Sequence, residues 1–155
     1  MENKKKMNNK GFSLVELIVV VMIMAIIAVA LAPQVMKWVE NSRIANDVTT
    51  VNSVASAAQV ATTQTEVLQE VAGAEGMTIK VSSSGVVVTC NKSGVTDKDS
   101  LEAQLKSYLA TSDLTTIKTK SSIPSGSEPT ISISSTGSVT VTLGSYLSSD
   151  DLGNK

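Results

Sequence analysis

Polar and apolar positions are sharply segregated along this chain. Residues 12–32 are apolar apart from Ser13 and Glu16, and residues 17–32 contain no polar side chain at all. A bilayer core of about 30 Å needs about 20 apolar helical residues, and residues 12–36 span 25 positions. A continuous membrane-spanning helix is therefore expected there, with Pro33 inside it removing one backbone hydrogen bond and bending or loosening the preceding turn. Beyond Pro33 the pattern turns amphipathic. Ile44, Val48, Val51, Ala55 and Ala58 recur at spacings of three and four, which predicts an apolar stripe on a continuing helix. Asn41, Arg43, Asn46, Asp47, Asn52, Ser56 and Gln59 are assigned to a face toward water. The pattern runs to about Val71, before Gly73 and Gly76 stop it. One helix over residues 12–71 would be roughly 90 Å long, so one end is expected to project from any domain of this size.

The second half reads as strands and turns. Met77, Ile79 and Val81 alternate with polar neighbours, the run from Ser82 to Gly85 turns, and Val86, Val88 and Cys90 resume the alternation. A second hairpin is expected from Ile131 and Ile133, a turn at Thr136 and Gly137, then Val139, Val141 and Leu143. Between them a helix is expected over residues 99–109, with Leu101, Leu105, Tyr108 and Leu109 on one face and a capping box from Thr96 and Asp99. Residues 120–129, rich in Ser, Pro and Gly, read as a surface loop, and residues 148–155 as a mobile tail. Residues 73–155 are few for an independent core. Their sheet needs the amphipathic half of the first helix as a second layer. The fold class is α+β: a long N-terminal helix, its apolar half projecting and its amphipathic half packed on a small antiparallel sheet.

Composition narrows the function. The 155 residues include no histidine and one cysteine, which excludes Ser-His-Asp triads, most zinc sites, CxxC motifs and an intrachain disulfide. No catalytic residue, metal site or cofactor is expected, and the chain is not read as an enzyme. Aromatic content of 3% and a net charge of −1 speak against nucleic-acid binding. Cys90 falls in the apolar register and reads as a small buried hydrophobe. Asp150 and Asp151 resemble half of a calcium loop, but without further spaced ligands they read more simply as a solvated tail. Asn91, Lys92 and Ser93 match a glycosylation acceptor, a short pattern of low specificity.

The first ten residues carry Lys4, Lys5, Lys6 and Lys10 against one acid, Glu2, so the N-terminus is expected in the cytoplasm. Lys37 and Trp38 close the span, as a membrane–water boundary favours. A cleavable secretory signal is the plain alternative, with small-residue sites at Ala28/Ala30 and Ala30/Ala32 and a mature start near Leu31. Against it stand the length of the apolar stretch, Pro33 directly after the second site, and Glu16. An isolated carboxylate within a membrane segment costs roughly 2.5–3.5 kcal/mol near mid-bilayer, less where it can snorkel, and calls for a partner. A cut between Gly11 and Phe12 would create one: the new Phe12 ammonium, about 6 Å along the axis in one chain, or on a staggered neighbour. In an apolar bundle such a pair fixes axial register between subunits.

The run KGFSLVELIVV (residues 10–20) resembles the type IV prepilin signature: a basic leader, Gly11, Phe12, and Glu16 at the fifth mature position. Pro33 also falls where many pilin helices carry a proline. The resemblance covers about a quarter of the chain. It implies residues 1–11 as a cleaved leader, 12–36 as a transmembrane and filament-core helix, 37–72 as its amphipathic continuation and 73–155 as a β-rich head. It implies cleavage between Gly11 and Phe12 by a prepilin peptidase, N-methylation of Phe12, and assembly through Phe12, Glu16 and Pro33. Implied partners are other copies of the chain, minor pilins, the assembly machinery, and membrane lipid before assembly. The implied destination is the cytoplasmic membrane and then an extracellular pilus serving adhesion or twitching motility. A pseudopilin of a type II secretion or DNA-uptake machine shares the whole N-terminal signature. Many pilins close a C-terminal loop with a disulfide, which one cysteine forbids here. Removing residues 1–11 takes away four lysines and one glutamate, leaving nine basic and thirteen acidic residues and a formal charge of −4.

Overall fold

A computed structural model describes residues 11–124 and 126–144. The elements run α1 (Leu14–Ala61), α2 (Thr65–Gly73), β1 (Met77–Ser82), β2 (Gly85–Cys90), α3 (Asp99–Tyr108), a 3-10 turn (Leu114–Thr116), β3 (Thr130–Ile133) and β4 (Val139–Thr142). The chain divides into two compact units, Met1–Trp38 and Val39–Lys155. The architecture is α+β: a long N-terminal helix and a four-stranded antiparallel sheet.

The helical stretch is not continuous to Val71. It ends at Ala61, and Thr62, Thr63 and Gln64 form a turn before α2 begins. The hydroxyls of Thr62 and Thr63 donate to the carbonyls of Gln59 and Val60 at 2.8 and 2.7 Å, the kind of local bond by which threonine competes with the helical ladder. Apolar periodicity carries across this turn because α2 also buries one face, through Val67 and Val71.

The sheet order is β2-β1-β3-β4, every pair antiparallel. Period-two alternation places one apolar row across all four strands, Val88–Ile79–Ile131–Val141, and a second beside it, Cys90–Met77–Ile133–Val139. These rows share a single core with Val51, Val54, Ala55, Ala58 and Ala61 of α1, Val67 and Val71 of α2, and Leu101 and Leu105 of α3. Burying each large aliphatic side chain contributes about 1.5–3 kcal/mol. The small alanines of α1 allow its backbone to lie close to its neighbours.

Four positions depart from the periodicity. Asp47, expected in water, is 1% exposed, whereas Val54 and Ala57, outside the expected stripe, are buried. Tyr108 leaves the apolar face of α3 and is exposed. The Thr96–Asp99 capping box does not form. Lys98 is the N-cap of α3, with no side-chain cap bond of its own. Glu70 of α2 instead accepts the Ser100 and Leu101 N–H groups, at 2.8 and 3.1 Å. A carboxylate from another helix satisfies the orphan donors and the positive helix end together. Gly85, at φ 128°, starts β2 where a Cβ would lie 2.5 Å from Thr115 Cα, so only glycine lets the 3-10 turn pack there.

Cys90 is half-buried; its thiol donates to the Asp97 carbonyl at 3.4 Å, and burial pushes its pKa up. Asn91 Oδ1 accepts the Thr78 hydroxyl at 2.9 Å. Lys4, Lys5, Lys6 and Lys10, and the segment with Asp150 and Asp151, lie outside the described residues.

Candidate processing and assembly segment

The first unit is organised by what its residues cannot bury. From Leu14 to Met36 its large apolar side chains face outward, with Met24 at 63% exposure and Val29 at 78%. α1 is the helix among the described residues that is long and apolar enough to cross a membrane, and its most apolar stretch is wholly unburied within the chain. A contiguous apolar surface of this size on one molecule is a surface made for lipid or for another protein.

α1 begins at Leu14, so Gly11, Phe12 and Ser13 precede the helix, all exposed. Phe12 is 88% exposed. A Cβ built on Gly11 meets nothing within 4 Å, so the fold of this chain imposes no steric demand for glycine at that position. The Ser13 carbonyl accepts the Leu17 N–H at 3.2 Å, the first bond of the helical ladder, which makes Ser13 the N-cap. The Ser13 N–H in turn donates to Glu16 Oε2 at 2.9 Å. Serine at the N-cap with glutamate three residues on is half of a capping box. The motif Ser13-x-x-Glu16 was readable in the sequence, yet the apolar context drew attention to the glutamate alone.

One carboxylate oxygen of Glu16 is thus engaged within its own chain. The carboxylate sits at the positive end of the α1 dipole, where negative charge is stabilised by about 0.3–1 kcal/mol at exposed sites. Its other oxygen remains able to accept a cation. Phe12 lies one residue before the N-cap, outside the helix.

The remaining candidates occupy the far part of the unit and its boundary. Pro33 lies inside α1, which continues through it; lacking an N–H, it leaves the Val29 carbonyl without its helical donor. Lys37 is exposed, and Trp38, 67% exposed, is the last residue of the unit. The structure gathers Phe12, Ser13 and Glu16 around one helix start. Pro33, Lys37 and Trp38 are four to five turns or more further along the same helix.

No curated protein and no solved structure matches the chain. Residues 6–32 match the prokaryotic N-terminal methylation motif, a motif of structural pilin-type proteins and not of an enzyme family. The match spans Gly11, Phe12 and Glu16, and it falls on the helix start and apolar surface just described. With that motif on a long apolar N-terminal helix, the chain carries the class III signal of the type IV pilin and pseudopilin family.

Proposed function

We propose that this chain is a structural subunit of a type IV pilus. The precursor sits in the cytoplasmic membrane with its lysine-rich N-terminus inside, residues 12–36 spanning the bilayer, and Lys37 and Trp38 at the outer boundary. A prepilin peptidase cuts between Gly11 and Phe12, and Phe12 is N-methylated, which leaves its nitrogen cationic. The apolar helix then leaves lipid for a bundle of other copies and minor pilins, guided by the assembly machinery. Pro33 relaxes the helix where neighbouring helices can re-satisfy the freed carbonyl.

The observation that carries this reading is an outward-facing apolar helix bearing a single carboxylate three residues into its first turn, directly behind an exposed Gly11–Phe12 bond. Capping the Ser13 N–H engages one oxygen of that carboxylate, and lipid offers its charge no partner. In an apolar bundle an unpaired Glu16 is heavily penalised and one paired with a Phe12 ammonium is not, so the charge selects one axial stagger. The absence of any steric need for glycine at position 11 supports a reader outside the chain, a peptidase that admits only a small residue before the scissile bond.

Intact mass or N-terminal sequencing of the processed protein tests the proposal: a methylated start at Phe12 is expected, and a start near Leu31 overturns it. Long surface filaments that bind antibody to residues 73–144 separate a pilus from the short stub of a secretion or DNA-uptake pseudopilin.

A further inference from the structure

The four-stranded sheet has two edges, β2 and β4, and the chain treats them differently. The Val81 N–H donates to the Pro129 carbonyl at 3.2 Å, and the Ser134 N–H to the Ser138 carbonyl at 2.9 Å. Antiparallel pairs alternate between hydrogen-bonded and non-bonded, so with the observed register these two bonds fix the direction of the backbone groups on every strand. The groups pointing outward belong to Val86 and Val88 on β2, and to Val139 and Val141 on β4. On β2 they are guarded. Lys98 Nζ donates to the Val88 carbonyl at 3.0 Å, and the 3-10 turn packs on Gly85 at the start of the strand. On β4 the outward N–H and C=O groups of Val139 and Val141 have no partner among the described residues.

An open edge is ordinarily blunted by a charge, a proline or a bulge. Residues 134–144 carry no charged side chain and no proline, and Val139 to Thr142 is a run of strong strand formers. Val139 and Val141 are half-buried, Thr140 and Thr142 exposed, so the two apolar rows of the sheet stop at this edge with apolar surface uncovered. A second copy completes both the hydrogen bonding and the rows. With Thr140 on a two-fold axis, Val139 faces Val141 of the other copy, and the outward groups of both strands pair in four backbone hydrogen bonds. The row Val88–Ile79–Ile131–Val141 then runs on into Val139, Ile133, Met77 and Cys90 of the second copy. Self-pairing sets like residues near one another, which penalises a charged strand and not this one.

We propose that β4 pairs antiparallel with β4 of a second copy of this chain, joining two four-stranded sheets into one continuous sheet. The interface is isologous, the same strand serving on both sides of a two-fold axis. It rests on residues of the second unit alone, so its failure leaves the reading of cleavage and methylation at Phe12 untouched.

Disulfide trapping of the full chain in detergent, on a Cys90→Ala background, tests it. Non-bonded antiparallel pairs bring Cα atoms to about 4.5 Å, within the roughly 4.4–6.8 Å that a disulfide spans. Thr140→Cys should therefore cross-link to itself. Thr142→Cys alone should not, yet mixed with Ser138→Cys it should, because position 142 faces position 138 in that register. Val141→Pro removes an N–H that the β3 ladder does not use. It should lower the Thr140→Cys yield about tenfold or more, the loss of two backbone bonds. Thr140→Cys dimers no more abundant than Thr142→Cys dimers, or a yield that Val141→Pro leaves unchanged, mean that the copies meet through their apolar helices alone and overturn the proposal. Hydrogen exchange gives a second readout on the unsubstituted chain. Val139 and Val141 amides protected only at high protein concentration support the pairing. Protection that survives dilution means that the chain covers its own edge; that result, or no protection at any concentration, overturns it.

Discussion

Asp47 of α1 holds Ser121 twice, accepting its backbone N–H at 2.7 Å and its hydroxyl, across 74 residues of chain. The same carboxylate accepts the Lys120 N–H at 2.7 Å, and Glu40, two turns earlier on α1, accepts the Ser122 N–H at 3.0 Å. Three successive backbone donors thus converge on two helix carboxylates. The chain's own acids thereby satisfy a run of backbone donors that would otherwise be left without partners. The arrangement ties a serine-rich connection to α1 where apolar packing has little to offer.

Asp47→Ala leaves three donors unsatisfied in a buried place, and a loss of about 3 kcal/mol or more is expected. Hydrogen exchange at Lys120 and Ser121, with proteolysis of residues 119–124, measures it. Wild-type protection in that variant would remove this account of the strap. Ser121→Ala, which gives up one bond and keeps the backbone pair, should cost about 1 kcal/mol.

Glu16 combines a cap with a charge, and two substitutions separate them. Glu16→Gln keeps an acceptor for the Ser13 N–H but cannot pair with an ammonium; Glu16→Ala loses both. Both variants should be cleaved at Phe12, because the bond being cut precedes the helix. Both should also fail to assemble normally, since an unpaired Phe12 ammonium in an apolar bundle costs several kcal/mol. Mass spectrometry and filament imaging read the two steps separately. Normal filaments from Glu16→Gln would show that the charge does not set register. Gly11→Ala should still be cut slowly, and a bulky residue at position 11 should block processing.

Glu70 adds a polar link between two helices, α2 and α3, that also share the core. Its truncation to alanine exposes the first turn of α3, and a loss of about 1–2 kcal/mol is expected, as for other N-caps. The Ser100 and Leu101 amides should lose exchange protection before the sheet amides do. Equal loss across the unit would instead make Glu70 part of the global core.

Asp113 supplies a pH dependence with a definite sign. The Thr115 hydroxyl and then the Thr115 N–H, donating at 2.6 and 2.9 Å, lower its pKa from the ordinary carboxylate value. A lowered folded-state pKa means that the cap is present in full above the unfolded value and is lost as pH falls through the folded one. The 3-10 turn at Leu114–Thr116 should therefore loosen at acid pH, read from the Thr115 amide shift. Thr115→Val should move that transition upward in pH; an unchanged midpoint would contradict the assignment.

Much of this was legible residue by residue. The apolar run, Glu16 behind Gly11 and Phe12, and the alternation in residues 77–90 and 131–141 each express a local rule: helix period, strand period, or the cost of a charge in lipid. The signature resembling type IV prepilins rests on the same local order, and the methylation motif was found on it. Apart from the local Ser13–Glu16 cap and the turn after Ala61, the features not legible in the sequence involve partners remote along the chain. Asp47 matched its polar neighbours on the helix surface, and only residues 120 and 121, folded against it, reveal why it is inside. Glu70 displaced a nearer capping pair because a helix end accepts whichever carboxylate tertiary packing delivers. The interruption at Ala61 was masked by apolar spacing that continued on both sides of it.

The sequence by itself determined an apolar helix over residues 17–32, because a run with no polar side chain at that length suits lipid or another protein better than water. It determined equally that the rest would form an alternating sheet under an amphipathic helix. Only the tertiary structure decided which polar groups leave water, because a buried carboxylate is stable only where donors from elsewhere in the chain converge on it. All but the Ser121 hydroxyl are backbone N–H groups, present at every residue but proline. Nothing in the identity of Lys120, Ser121 or Ser122 marks them in advance for Asp47 and Glu40.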